Sequence, residues 1–121
     1  MTKEDKELLF KDLCTRLPYH VRCKIWLQDG TTEEGLLDLQ NNYGNVLQDA
    51  FYYNKIKDIK PYLRPMSSIT EEEEFKLNET TCYTQFTLES YDWLNVYHFD
   101  YRGLIEKGLA IEAPKGMYKI D

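Results

Sequence analysis

The sequence predicts an α+β fold: an N-terminal helix, a small curled antiparallel sheet, barrel-like and of about four to five strands, and C-terminal helices packed on it. Three observations carry this prediction. An apolar stripe at three-and-four spacing occupies the first seventeen residues, a period-two run leads straight into Asp29-Gly30, and composition and charge both change after Pro65.

The stripe is Leu8, Leu9, Leu13 and Leu17, widened by Phe10 and Cys14, with Thr2 available as N-cap; Leu17-Pro18 ends it, because the residue before proline is pushed out of the α region. Val21, Cys23, Ile25 and Leu27 then alternate with Arg22, Lys24, Trp26 and Gln28, the signature of a strand with one buried face. Asp29-Gly30 predicts a hairpin whose returning strand is Thr31 to Leu39, with Gly35 as a bulge. A second turn at Asn41-Asn42-Tyr43-Gly44 leads to a third strand, Asn45 to Tyr53, and Lys55 to Ile59 gives a short fourth that Pro61 and Pro65 bring to an end.

After Met66, Thr70 caps a short helix and Glu73 closes a capping box, with Glu71 to Glu74 at the positive end of the helix dipole and an end near Asn78. Thr80 to Leu88, rich in Thr, Tyr and Phe, reads as a fifth strand. Ser90 caps a helix to Phe99, Asp100 caps another from Tyr101 to Lys107 that Gly108 stops, and Leu109, Ile111 and Ala113 alternate as a last edge strand.

A chain of 121 residues has room for one core, so residues 1–121 are expected to form a single domain with a sheet-rich half, 1–66, and an acidic helical half, 67–121. Net charge is −6, and it is unevenly placed: ten basic and ten acidic side chains up to Met66, five basic and eleven acidic after it. Such a field opposes general nucleic-acid binding. No apolar run approaches the roughly 18 residues that span a bilayer, the start lacks a secretion-signal plan, and the three scattered cysteines read as reduced, mostly buried thiols, so a cytoplasmic setting is expected.

No catalytic, cofactor or metal site is expected. His98-Phe99-Asp100-Tyr101-Arg102-Gly103 offers a base, an acid, a phenol and a guanidinium, yet its spacing suits helix caps better than a site converging from several elements. Metal-ligand spacings, glycine-rich phosphate loops and nucleophile elbows are missing from the sequence. Two surfaces invite binding. Lys55, Lys57, Lys60 and Arg64, interleaved with Tyr52, Tyr53 and Tyr62, combine cations with stacking rings as single-strand binders do. The acidic half offers Glu71 and Glu72 beside Trp93, Tyr101 and Arg102, with Tyr91 and Tyr97 nearby, as a protein-binding face.

Three segments resemble a known family: Asp12-Leu13-Cys14-x-Arg16-Leu17-Pro18-Tyr19, Ile59 to Ser68, and above all Trp93-Leu94-Asn95-x-x-His98-Phe99-Asp100-Tyr101-Arg102-Gly103-Leu104-Ile105-Glu106-Lys107-Gly108-Leu109-Ala110. The chain is similar along nearly its whole length to short uncharacterised proteins of Bacteroides-type gut bacteria, often encoded in prophage-like regions. Relative to that pattern Leu77 to Ser90 is shorter or divergent. The resemblance implies a phage or mobile-element setting and no activity, cofactor or catalytic residue. The expectation is a non-enzymatic protein-interaction module with a bacterial or phage partner. A single-stranded nucleic-acid binder using Lys55 to Arg64 is the alternative, and an acidic decoy that blocks a DNA-binding enzyme is a third reading.

Overall fold

In the computed structural model, which describes residues 2–37 and 56–118, helix α1 runs over Lys3–Arg16. Thr2 caps it through the bond its Oγ1 accepts from Asp5 N at 3.0 Å. One face buries Leu9 and Leu13, and the chain leaves through a single 3₁₀ turn at Leu17–Tyr19, where Pro18 takes one of the first positions.

Strands β1 (Val21–Leu27) and β2 (Thr32–Leu37) form the expected hairpin. Gly30 N donates to Leu27 O at 3.1 Å, Leu27 N to Thr31 O at 2.9 Å, and Gly30 stands at φ 90°, so the link is a three-residue turn that needs glycine at its left-handed position. Gly35 is no bulge: it pairs regularly with Cys23, and the irregularity falls between Trp26 and Leu27, on the side of β1 that faces β3. The expected turn at Asn41 to Gly44 and strand at Asn45 to Tyr53 lie outside the described residues.

Strand β3 (Ile56–Pro65) is ten residues long and runs through both prolines that were expected to end it. Pro61 is the last residue in register with β1, and the donor to the next strand is Arg64 N, bonded to His98 O at 2.8 Å, so neither proline removes a needed N–H. The C-terminal end of β3 pairs in parallel with two short strands, β4 (Phe99–Asp100) and β5 (Ile111–Glu112). The sheet is therefore mixed and open rather than antiparallel and barrel-like, in the order β2-β1-β3-β4 with β5 also on β3.

Helix α2 (Glu71–Asn78) has the expected capping box, with Glu73 N donating to Thr70 Oγ1 at 3.1 Å and Thr70 N to Glu73 Oε1 at 3.0 Å. Helix α3 (Leu88–Val96) starts three residues earlier than the Ser90 cap implies: Thr87 is the N-cap, and buried Ser90 answers it from the third position. Thr80 to Leu88 is not a strand. It is a turn with one isolated bridge, Cys82 to Gln85, while among the described residues the partners of β3 are β1, β4 and β5. The helix expected over Tyr101 to Lys107 is a series of turns, because Gly103 sits at φ 73° and the Asp100 carboxylate binds Leu104 N at 2.8 Å and Ile105 N at 3.0 Å, as a cap without its helix.

The inner face of the sheet buries Val21, Cys23, Ile25, Ile59 and Leu63 against Leu9 and Leu13 of α1, and Leu104, Leu109 and Ala110 from the acidic half complete the same cluster. A smaller cluster joins Leu77, Leu94 and Phe99, flanked by Met66, Ile69, Trp93, Tyr97 and Tyr101. Of the cysteines only Cys23 is buried, which pushes its thiol up to about 12; Cys14 and Cys82 are exposed, contrary to expectation.

Candidate functional site

The stretch from His98 to Gly103 is built into the junction between the sheet and the acidic half. His98 adopts a left-handed φ of 62° and stacks on Tyr118 at 3.9 Å between ring centroids. Burial, with the neighbouring charges of Arg16 and Arg64, pushes its imidazole down to about 4, so it is neutral at pH 7, unlike the charged helix-end histidine its position suggests. Phe99 is core, and Tyr101 donates its hydroxyl to Asn95 Oδ1 at 3.0 Å. Arg102 Nε meets Asp12 Oδ1 at 3.2 Å. Asp12 also binds Arg16 Nε at 2.7 Å, and Arg16 Nη2 donates to the Phe99 carbonyl at 2.7 Å, with the Asp12 and Arg16 side chains fully buried. These groups link α1 to the 99–102 segment. Among the described residues no three His, Cys, Asp or Glu side chains are gathered for a metal ion.

The basic patch expected around β3 is divided. Lys57 is exposed, and Lys60, half-exposed, places its ammonium 5.7 Å from the centre of the Trp26 ring. Arg64 turns away from solvent, gripping Glu73 with two bonds of 2.8 Å and lying 4.1 Å above the Phe99 ring. Those bonds, with the cap bond from Thr70, hold the Glu73 carboxyl below its usual range despite burial. Tyr62 is buried and gives its hydroxyl to Glu34; burial first and that contact second push the phenol up to about 12. Tyr52, Tyr53 and Lys55 lie outside the described residues. A cleft of about 580 Å³ separates the 65–70 turn from the 112–118 segment, and Arg64 on its wall is already paired with Glu73.

In the acidic half, Trp93 stacks on Phe99 at 5.8 Å and meets Tyr97 at a tilt at 4.6 Å, and with Tyr101 it packs against the smaller core. Glu71 and Glu72 are exposed on the first turn of α2. The solvent-facing apolar side chains are different ones. Among the described residues the exposed large hydrophobics all fall between 75 and 96: Phe75, Tyr83, Phe86, Leu88, Tyr91 and Val96, with Tyr83 at 94% and Leu88 at 85% exposure. Phe86 meets Tyr91 edge-on at 5.7 Å, Tyr91 meets Tyr101 at 5.3 Å, and Leu88 and Tyr91 line a shallow cleft of about 420 Å³ with Lys11, Thr15, Tyr101 and Arg102.

Tyr83 is displayed by a strained turn. Cys82 and Gln85 exchange two backbone bonds of 2.9 Å, and the two residues between them, Tyr83 and Thr84, have φ of 52° and 66°. Hairpin turns with positive φ at both central positions favour Asn and Gly, and a β-branched threonine there is a genuine outlier. The neck is closed by hydroxyls: Thr87 Oγ1 donates to Thr80 O at 2.8 Å, and Thr80 Oγ1 lies 2.8 Å from Ser90 Oγ. The turn is thus held from its base while its tip carries an exposed ring.

Sequence reasoning passed over Tyr83, Phe86 and Leu88 because the richness of Thr80 to Leu88 in Thr, Tyr and Phe reads as an extended strand. The signal available was Thr87 with Ser90 three residues on, which places a cap there and leaves Leu88 at an outward first helical position. Comparison of the chain with protein-family models, with curated proteins and with solved structures finds no match.

Proposed function

We propose that the protein is a non-enzymatic protein-interaction module of the bacterial cytoplasm, carried by a phage or other mobile element, and that it offers the 82–91 segment to a partner protein. The observation that carries this reading is the strained turn at Tyr83 and Thr84, since a backbone held in an unfavoured conformation to expose an aromatic ring has no folding benefit. Phe86, Leu88 and Tyr91 continue the apolar surface, and exposed Glu71, Glu72, Glu74, Glu79, Glu89 and Asp92 give the same half of the chain its negative charge. The fitting partner has an apolar pocket ringed by Lys or Arg. The resemblance to prophage-associated proteins supports the setting, and the internal bonding of Asp100, Tyr101 and Arg102 supports a role without catalysis.

Capture from a Bacteroides-type lysate with wild type, Tyr83→Ser, Leu88→Lys and Lys107→Glu is the test, followed by titration of the purified partner. The first two variants lose the partner and the third keeps it. Equal recovery by all four overturns the proposal.

A further inference from the structure

A second surface, on the opposite half of the charge distribution, has the makings of a ligand site. Because Val21, Cys23 and Ile25 are buried, the alternation of β1 turns Arg22, Lys24 and Trp26 outward, with Arg22 exposed and the other two half-exposed. The register with β3 sets Lys24 directly opposite Lys60 and Trp26 opposite Asp58. Two lysines facing each other across a ladder repel, and a central strand has every opportunity to avoid it. Here both ammonium groups gather on one indole, 5.4 Å and 5.7 Å from the ring centre. Glu34, which faces Lys24 from β2, receives the Tyr62 hydroxyl, and the ion pairs formed among the described residues involve neither lysine.

We propose that this face binds single-stranded nucleic acid, with phosphates on Lys24, Lys60 and Arg22 and a base against Trp26. The cations ask for an anion and the half-exposed indole asks for a flat apolar group; a nucleotide chain with unpaired bases supplies both, whereas a duplex hides its base faces. Asp58, Glu34 and the net charge of −6 keep the affinity modest and confine contact to this patch. The site differs from the β3 patch read in the sequence: it is centred on β1, and Arg64 and Tyr62 serve internal contacts. It is independent of the protein-binding turn at Tyr83.

The test is fluorescence anisotropy of a labelled oligothymidine of about twelve residues, titrated with the intact protein over a range of salt. Binding at low salt is expected to weaken with a log–log slope of about −2, three phosphates at about −0.7 each. Trp26→Leu, which keeps apolar cover on the sheet, weakens binding roughly 5- to 150-fold. Lys24→Gln and Lys60→Gln each flatten the slope by about 0.7. Lys107→Gln, the same charge change on the acidic half, leaves affinity unchanged, and circular dichroism of each variant separates lost binding from lost folding. No binding at low salt overturns the proposal, as does loss in Lys107→Gln equal to that in Lys24→Gln. Inorganic polyphosphate binding as tightly as the oligonucleotide, with Trp26→Leu without effect, reduces the face to a cation cluster and overturns it too.

Discussion

Asp12 ties α1 to the 99–102 segment of the acidic half. Fully buried, it holds Arg16 at 2.7 Å and Arg102 at 3.2 Å, and both guanidinium groups lie 5.1 Å from the centre of the Tyr101 ring. Removing one member of a buried ionic cluster leaves an uncompensated charge in a poor dielectric, so Asp12→Ala is expected to cost about 3–5 kcal/mol in urea unfolding, with Asp12→Asn failing to restore it. Arg102→Ala, whose side chain is 21% exposed, costs only about 1 kcal/mol because Asp12 keeps Arg16. A cost for Asp12→Ala near that of Arg102→Ala would show that the cluster is not what joins α1 to the 99–102 segment. Little of this was legible in the sequence. Asp12 and Arg16 at i and i+4 look like a solvated helix pair, and only the packing of Phe99 to Arg102, more than eighty residues away, buries them.

At the scale of elements, the segments with local signals folded as read, and those depending on distant partners did not. The α1 stripe, the β1–β2 hairpin and the Thr70–Glu73 box rest on near neighbours. By contrast, Thr80 to Leu88 has strand-like residues but among the described residues is paired only within its own turn, and Phe99–Asp100 is a strand because Arg64 lies beside it. The same locality makes the Tyr83 turn separable from the rest. Thr84→Gly relieves a left-handed threonine and is expected to stabilise the protein by about 1 kcal/mol while keeping partner capture, since Tyr83 stays. Tyr83→Asn relieves the neighbouring strain by a similar amount but loses capture. Thermal unfolding beside a binding titration reads both. If Thr84→Gly destabilises, or if Tyr83→Asn binds as wild type does, the strain does not serve recognition.

For the whole molecule, the division into a neutral and an acidic half was visible from charge alone, whereas the means of joining them was hidden, because parallel pairing of β3 with β4 and β5 brings together residues far apart in sequence. That junction is sensitive to acid. His98, whose carbonyl receives Arg64 N and whose ring lies on Tyr118, has an imidazole pushed from its ordinary 6.5 down to about 4 by burial and by Arg16 and Arg64. The unfolded chain therefore takes up a proton near pH 6.5 that the folded chain refuses until near pH 4. Stability is full above pH 6.5 and falls on acidification, by on the order of 3 kcal/mol once pH 4 is reached. Below an ordinary carboxylate value of 4.5 a second loss begins, because Glu73, held low chiefly by Arg64, must be protonated and α2 loses its ion pair and half of its cap. Urea midpoints measured across this range are expected to show both limbs. His98→Asn, which tolerates the left-handed backbone and carries no titrating group, removes the limb between 6.5 and 4 and leaves the lower one. An unchanged upper limb in that variant would place the acid sensitivity elsewhere, and the junction would then be held by the Asp12 cluster without any contribution from the neutral state of His98.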